Sequence, residues 1–172
     1  MTTTTTIPTR PAPLPGVTGD CAWLERAVAL AISNVATGGG PFGALVVRDG
    51  RILGQSGNRV TENNDPTAHA EVMAIRAACS AVGDFRLDGA LLVSSCEPCP
   101  MCLGAALWSR VARVIYAADR HDAARVGFDD DEFYEMLDRP RLSWSVPVRH
   151  LALGSARQPF DAWSAAAERI DY

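Results

Sequence analysis

At 172 residues and 48% hydrophobic, the chain is long enough for one well-packed domain and short for two. A formal net charge of −4 gives no general attraction to polyanions and argues against a nucleic-acid partner, while no stretch approaches the ~20 apolar residues of a membrane span. Of the five cysteines, Cys96, Cys99 and Cys102 crowd together at metal-binding rather than disulfide spacing, which points to a reducing, cytoplasmic setting.

Residues 1–17 are a threonine run followed by Pro8, Pro11, Pro13 and Pro15, with almost nothing to bury and neither the basic start nor the apolar run of a signal peptide. They are expected to be a disordered tail ahead of a single domain, 18–172. From about 19 to 36, Trp23, Leu24, Ala27, Val28, Ala31, Ile32 and Val35 recur at helical spacing, and Gly38-Gly39-Gly40 ends the run. Strands are expected at 44–47 and 51–54, joined by Asp49-Gly50, a strong hairpin turn. Phe42 enters that hairpin and Asn58 leaves it, so antiparallel pairing brings both to one sheet edge. Core packing for Phe42 and a turn role for Asn58 explain these residues equally well.

Asp65-Pro66-Thr67 is a turn and capping sequence, after which Val72, Ile75 and Ala78 or Cys79 mark a helix to about Val82. A strand at 87–95, a helix at 98–109 and a strand at 111–117 imply a parallel right-handed crossover. Residues 120–138 are rich in Asp and Glu, ordinarily the sign of a solvated helix face. A fifth strand is expected at 146–153 and a last helix at 159–170. These elements predict a three-layer α/β/α domain with a five-stranded mixed sheet and helices on both faces.

The chemistry concentrates at two helix starts. Cys99 and Cys102, three residues apart in a first turn, can grip one ion, and the positive end of the helix dipole favours their thiolates. His69 begins the other site helix, and one helix followed by a returning strand brings Cys99 back to the edge where His69 lies. His69 and Glu71 cannot share a face mid-helix at a spacing of two, so the site is expected end-on at both helix N-termini. One His and two Cys suit zinc and leave the fourth tetrahedral position for water, whose acidity zinc raises. Glu71 stays off the metal as a general acid and base. The competing reading is a closed structural zinc site that adds Cys96, which precedes the helix and would have to curl back; it makes the chain a zinc-stabilised binding module without turnover.

His69-Ala70-Glu71 followed by Pro98-Cys99-x-x-Cys102 is the zinc-deaminase signature. With Gly40-Pro41-Phe42-Gly43-Ala44, Asn63 to Glu71, Ser95 to Ala105, Gly127-Phe128-Asp129-Asp130, Pro159-Phe160-x-Ala162-Trp163 and the final Tyr172, the chain from about residue 20 onward resembles the bacterial guanine deaminases of the cytidine deaminase superfamily. That resemblance implies the cytidine deaminase-like fold, one Zn2+ per subunit on His69, Cys99 and Cys102, and hydrolysis of guanine to xanthine and ammonia with Glu71 moving the protons. It also implies that Phe42 stacks on the purine, that Asn58, Ala70 and Asp130 contact the ring edge, and that Tyr172 closes the pocket. It further implies a homodimer that exchanges its C-terminal segment. Guanosine, cytosine, ammeline-like triazines and adenosine in transfer RNA are the rival substrates within the superfamily.

Overall fold

The computed structural model describes residues 17–128 and 130–171, so the expected tail lies outside the described residues apart from Val17, where the first helix begins. The chain divides into two compact units, one running to Tyr134 and the other from Glu135 to Tyr172.

In the first unit, α1 (Val17–Ala36) is followed by the hairpin of β1 (Gly43–Arg48) and β2 (Arg51–Gly57), the short α2 (Val60–Asn63), and α3 (Ala70–Val82). Then come β3 (Leu91–Cys96), α4 (Pro100–Trp108), β4 (Arg113–Ala118) and α5 (Arg120–Ala124), and α6 (Asp130–Leu137) runs from this unit into the second. Asp49 and Gly50 both adopt positive φ, as a two-residue hairpin turn that follows the strand twist requires. The sheet order is β2-β1-β3-β4, with β1 antiparallel to both neighbours and β3 parallel to β4. The hairpin and the parallel pairing across α4 are as expected, within a mixed sheet of four strands, not five.

Side-chain alternation along the two central strands sorts the core into two layers. Ala44, Val46 and Leu92 pack with Ala70, Ala74, Ile75 and Ala78 of α3 and Ala106 of α4. Leu45, Val47, Leu91 and Val93 face the other way, onto Ala27, Trp23 and Leu24 of α1. Two glycines set these distances. A Cβ on Gly43 would stand 2.6 Å from the Ala27 carbonyl oxygen on α1, and one on Gly54 would stand 2.4 Å from the Ala78 nitrogen on α3. Both helices therefore lie against bare backbone. At the edge, Asp20 of α1 accepts two hydrogen bonds of 2.7 Å from Arg113 of β4, a two-pronged tie between the helix and the sheet. Ile32 and Val35, read as part of the buried stripe of α1, are 67% and 50% exposed.

The second unit is mostly irregular, with a 3-10 turn at Arg141–Ser143 and α7 (Gln158–Ala165). The strand expected at 146–153 does not form. Pro147 removes a backbone donor inside it, and Val146, Leu151 and Leu153 are 73%, 81% and 69% exposed, so no buried face holds it to a sheet. The last helix is also shorter than expected. Its apolar residues Phe160 and Trp163 are exposed, and a short helix with no buried face has little to extend it.

Candidate active site

His69 is the N-cap of α3 and Cys99 the N-cap of α4. Both adopt extended backbone before their helices begin, and Pro100 follows Cys99 at the first helical position, where its missing N–H costs nothing. Because β1 and β3 are neighbours and α3 and α4 cover the same sheet face, the two helix starts meet at one sheet edge. The His69 Nδ1 lies 3.7 Å from Cys99 Sγ and 3.6 Å from Cys102 Sγ, and the two sulfurs are 3.6 Å apart. Metal–ligand bonds of about 2.3 Å to sulfur and about 2.0–2.1 Å to nitrogen put tetrahedral corners roughly 3.6–3.8 Å apart, so this triangle fits zinc. Among the described residues, these three form the group able to hold a metal ion. Cys96 is not one of them: its thiol points to the Asp119 carbonyl oxygen, 3.5 Å away, and the closed four-ligand site does not form.

Electrostatics separate the two thiols of that triangle and the carboxyl group beside it. The hydrogen bond between the two sulfurs, helped by His69, holds the Cys99 thiol down to about 4. The same bond, with burial and the neighbouring Glu71 charge, pushes Cys102 up. Glu71, in the first turn of α3, is buried, and desolvation raises its pKa although Ser94 donates to it at 3.1 Å. Its other carboxylate oxygen lies 3.5 Å from Cys102 Sγ. A carboxyl group that takes protons readily, beside a metal triangle but outside it, suits a proton carrier.

Next to these groups opens a cavity of about 550 Å3, lined by Gly38–Phe42, Asn58, Val60, Thr61, His69, Glu71, Glu97, Cys99, Phe128 and Phe133. Phe42 and Asn58 meet at this edge as the hairpin reading required, with the Asn58 N–H donating to the Phe42 carbonyl at 3.0 Å. Phe128 meets the Phe42 ring edge-on, with centroids 4.7 Å apart. Asn58 Oδ1 accepts from the Val60 N–H, which leaves the side-chain NH2 to donate. Ala70 differs from the other expected contacts. Its side chain is fully buried in the core, so only main-chain groups at the start of α3 can serve a ligand. Asp130 opens α6, and its side chain, like the whole of Tyr172, lies outside the described residues.

Several residues had gone unread in the sequence. Asn34, buried near the end of α1, donates to the Gly40 carbonyl at 2.8 Å and the Asn58 carbonyl at 3.0 Å, tying together the loops that carry Phe42 and Asn58. Ser94 was accessible by alternation, since it shares the α3-facing side of β3 with Leu92. Phe128 stands in the Gly127-Phe128-Asp129-Asp130 motif, two residues before Asp130. Phe133 carries no local signal, and Glu97, although inside the Ser95 to Ala105 motif, takes its place from Arg120, distant in sequence.

The model of the cytidine and deoxycytidylate deaminase zinc-binding region matches residues 18–118. A guanine deaminase of Bacillus subtilis is 49% identical over 151 residues, covering 87% of this chain and 97% of that protein. The crystal structure of guanine deaminase from Bacillus subtilis superposes with a TM-score of 0.85, covering 88% of this chain and 97% of that one. A structure of guanine deaminase from Nitrosomonas europaea gives a TM-score of 0.61 at 33% identity, over 70% of this chain and 69% of that one. A tRNA-specific adenosine deaminase of Agrobacterium fabrum is 51% identical, but over 45% of this chain and 51% of its own length.

Proposed function

The chain belongs to the cytidine and deoxycytidylate deaminase zinc-binding family, and from that premise we propose that it hydrolyses free guanine to xanthine and ammonia. The observation that carries this reading is the His69, Cys99 and Cys102 triangle with buried Glu71 beside it, within a chain that matches a guanine deaminase along almost its whole length. His69 Nδ1 and the two thiolates would hold the zinc, which when bound would make water a nucleophile at neutral pH.

In the reaction a water oxygen bonds to C2 of guanine while Glu71 accepts one of the water protons and passes it to the adjacent ring nitrogen. Glu71 then takes the remaining hydroxyl proton and delivers it to the exocyclic amine as the C2–N bond breaks, leaving C2=O and releasing ammonia. Its burial raises its proton affinity toward the range this two-way duty needs, and Ser94 fixes its other oxygen. Phe42 stacks on the purine, and the Asn58 NH2 donates to an acceptor on the ring. The N–H groups at the start of α3, Ala70 among them, face the ring edge. Asp130 takes ring N–H and amino donors, and Tyr172 closes the pocket.

The working form is a homodimer, with the C-terminal segment lying on the partner subunit. What supports this is the apolar surface of residues 135–172, where Leu151, Phe160 and Ile170 are 81%, 70% and 69% exposed, more than a stable isolated surface normally shows. A reducing cytoplasm suits a chain whose five cysteines are all free thiols. No helix of the described residues is long and apolar enough to cross a membrane.

The test is ammonia release from guanine, guanosine, cytosine, adenine and ammeline, with wild type and Glu71→Ala in parallel. Guanine turnover is expected to fall by about 10²–10⁴-fold in Glu71→Ala while zinc content is unchanged. Preference for another substrate would overturn the pocket assignment, and silence across the panel would overturn the enzyme reading.

A further inference from the structure

Arg120 stands at the junction of three segments that border the cavity. Its Nη1 donates to Glu97 Oε1 at 3.2 Å, and its own backbone N–H donates to Glu97 Oε2 at 3.2 Å. Its Nε lies 2.8 Å from Asp131 Oδ1, an ion pair outside hydrogen-bond geometry, and its guanidinium sits 4.6 Å from the centre of the Tyr134 ring. Tyr134 in turn donates its hydroxyl to the Pro98 carbonyl at 2.5 Å, one residue before the ligand Cys99. One side chain thus ties the approach to α4 (Glu97 and Pro98) to the start of α6 (Asp131 and Tyr134). Phe133, between those last two residues, lines the cavity, as do Glu97 and Phe128.

We propose that Arg120 is a positioning residue that fixes the aromatic wall of the substrate cavity and through it the selection of a free base over a ribosylated one. The inference rests on the guanine reading above. A planar fork is needed here because it must meet two carboxylates and a ring face at once. Lysine, with one compact charge, can serve only one of these. When the clamp is released, Phe133 and Phe128 lose their fixed distance from the Cys99 edge. The base then stacks less tightly, and space opens for a larger substituent. Arg120 makes no contact with the metal ligands themselves, so zinc affinity and the Glu71 proton transfers are spared.

The experiment compares wild type, Arg120→Gln, Arg120→Lys, Tyr134→Phe and the Arg120→Gln/Tyr134→Phe double variant. It measures kcat and KM for guanine and guanosine, zinc content, and hydrogen exchange of peptides covering 128–134. Arg120→Gln is expected to raise KM for guanine about 10-fold or more, with kcat within about 3-fold and one zinc per chain, and to narrow the ratio of guanine to guanosine kcat/KM. Arg120→Lys falls between it and wild type. The double variant is expected to be no worse than Arg120→Gln alone, because both substitutions break one network.

Unchanged KM in a folded, zinc-loaded Arg120→Gln enzyme would overturn the proposal, as would additive effects in the double variant or a fall in kcat accompanied by zinc loss. If Arg120→Gln does not fold, unchanged KM in both Arg120→Lys and Tyr134→Phe overturns it. A wild type that does not turn over guanine rejects the substrate reading instead. In that case faster exchange at 128–134 in Arg120→Lys supports the clamp, and unchanged exchange rejects it.

Discussion

Leu91–Cys96 and residues 146–153 look alike as sequences, two short stretches rich in Val and Leu, yet one is a central strand of the sheet and the other is no strand at all. Every residue of the first is buried, with β1 on one side and β4 on the other completing its hydrogen bonds. The second is interrupted by Pro147 and exposes its apolar side chains. A strand is specified by its neighbours as much as by its own residues, and only the first stretch has them. The metal centre depends on that difference. β3 delivers Ser94 to Glu71 and carries the chain to Cys99, so the reactive groups stand on the best-packed part of the molecule.

The largest way to break this comparison is at the end of the first stretch. Cys102→Ala removes a fully buried ligand, and zinc content and guanine turnover are expected to fall to background together. Retained zinc with retained turnover would detach the chemistry from the triangle.

A second pair of changes contrasts the two stretches directly by urea unfolding. Leu92→Ala, which empties a fully buried site between β1 and α3, is expected to cost about 2–5 kcal/mol at every protein concentration. Leu151→Ala is expected to change the unfolding of the isolated chain by no more than about 0.5 kcal/mol and to show instead as weaker dimerisation in gel filtration. Equal costs for the two would erase the distinction.

The smallest effect is a pH dependence at the edge of the sheet. Hydrogen bonds from Arg113 hold the Asp20 carboxyl below its ordinary value of 3.8. A depressed carboxylate contributes stability above its unfolded pKa and loses it as pH falls through the folded one. Asp20→Asn is therefore expected to cost about 1 kcal/mol at pH 7 and progressively less below about pH 4, as thermal unfolding at a series of pH values would show. A constant cost across that range would mean the pair acts by packing rather than by charge.

What could be read in the sequence follows the same division. His69, Glu71, Cys99 and Cys102 were legible because zinc chemistry dictates residue type and spacing, and because helix starts announce themselves through Asp65-Pro66-Thr67 and Pro98-Cys99-Pro100. Phe42 and Asn58 were placed together by a hairpin whose turn, Asp49-Gly50, is unambiguous. Short apolar runs also predicted strands at the sheet centre correctly, where both faces are buried. The same kind of run misled at 146–153, where apolar residues suggested a strand and no partner edge supplied hydrogen bonds. Glu97, Arg120 and Tyr134 were invisible for a related reason, since each acquires its role from contacts across more than ten positions of chain.

The central claim is that one zinc on His69, Cys99 and Cys102 serves the hydrolysis of guanine. Its most direct test is guanine turnover followed while zinc is titrated into stripped enzyme. The account predicts that activity rises in proportion to added zinc and levels at one equivalent per chain. Turnover that is indifferent to zinc, or that needs a second equivalent, would contradict it.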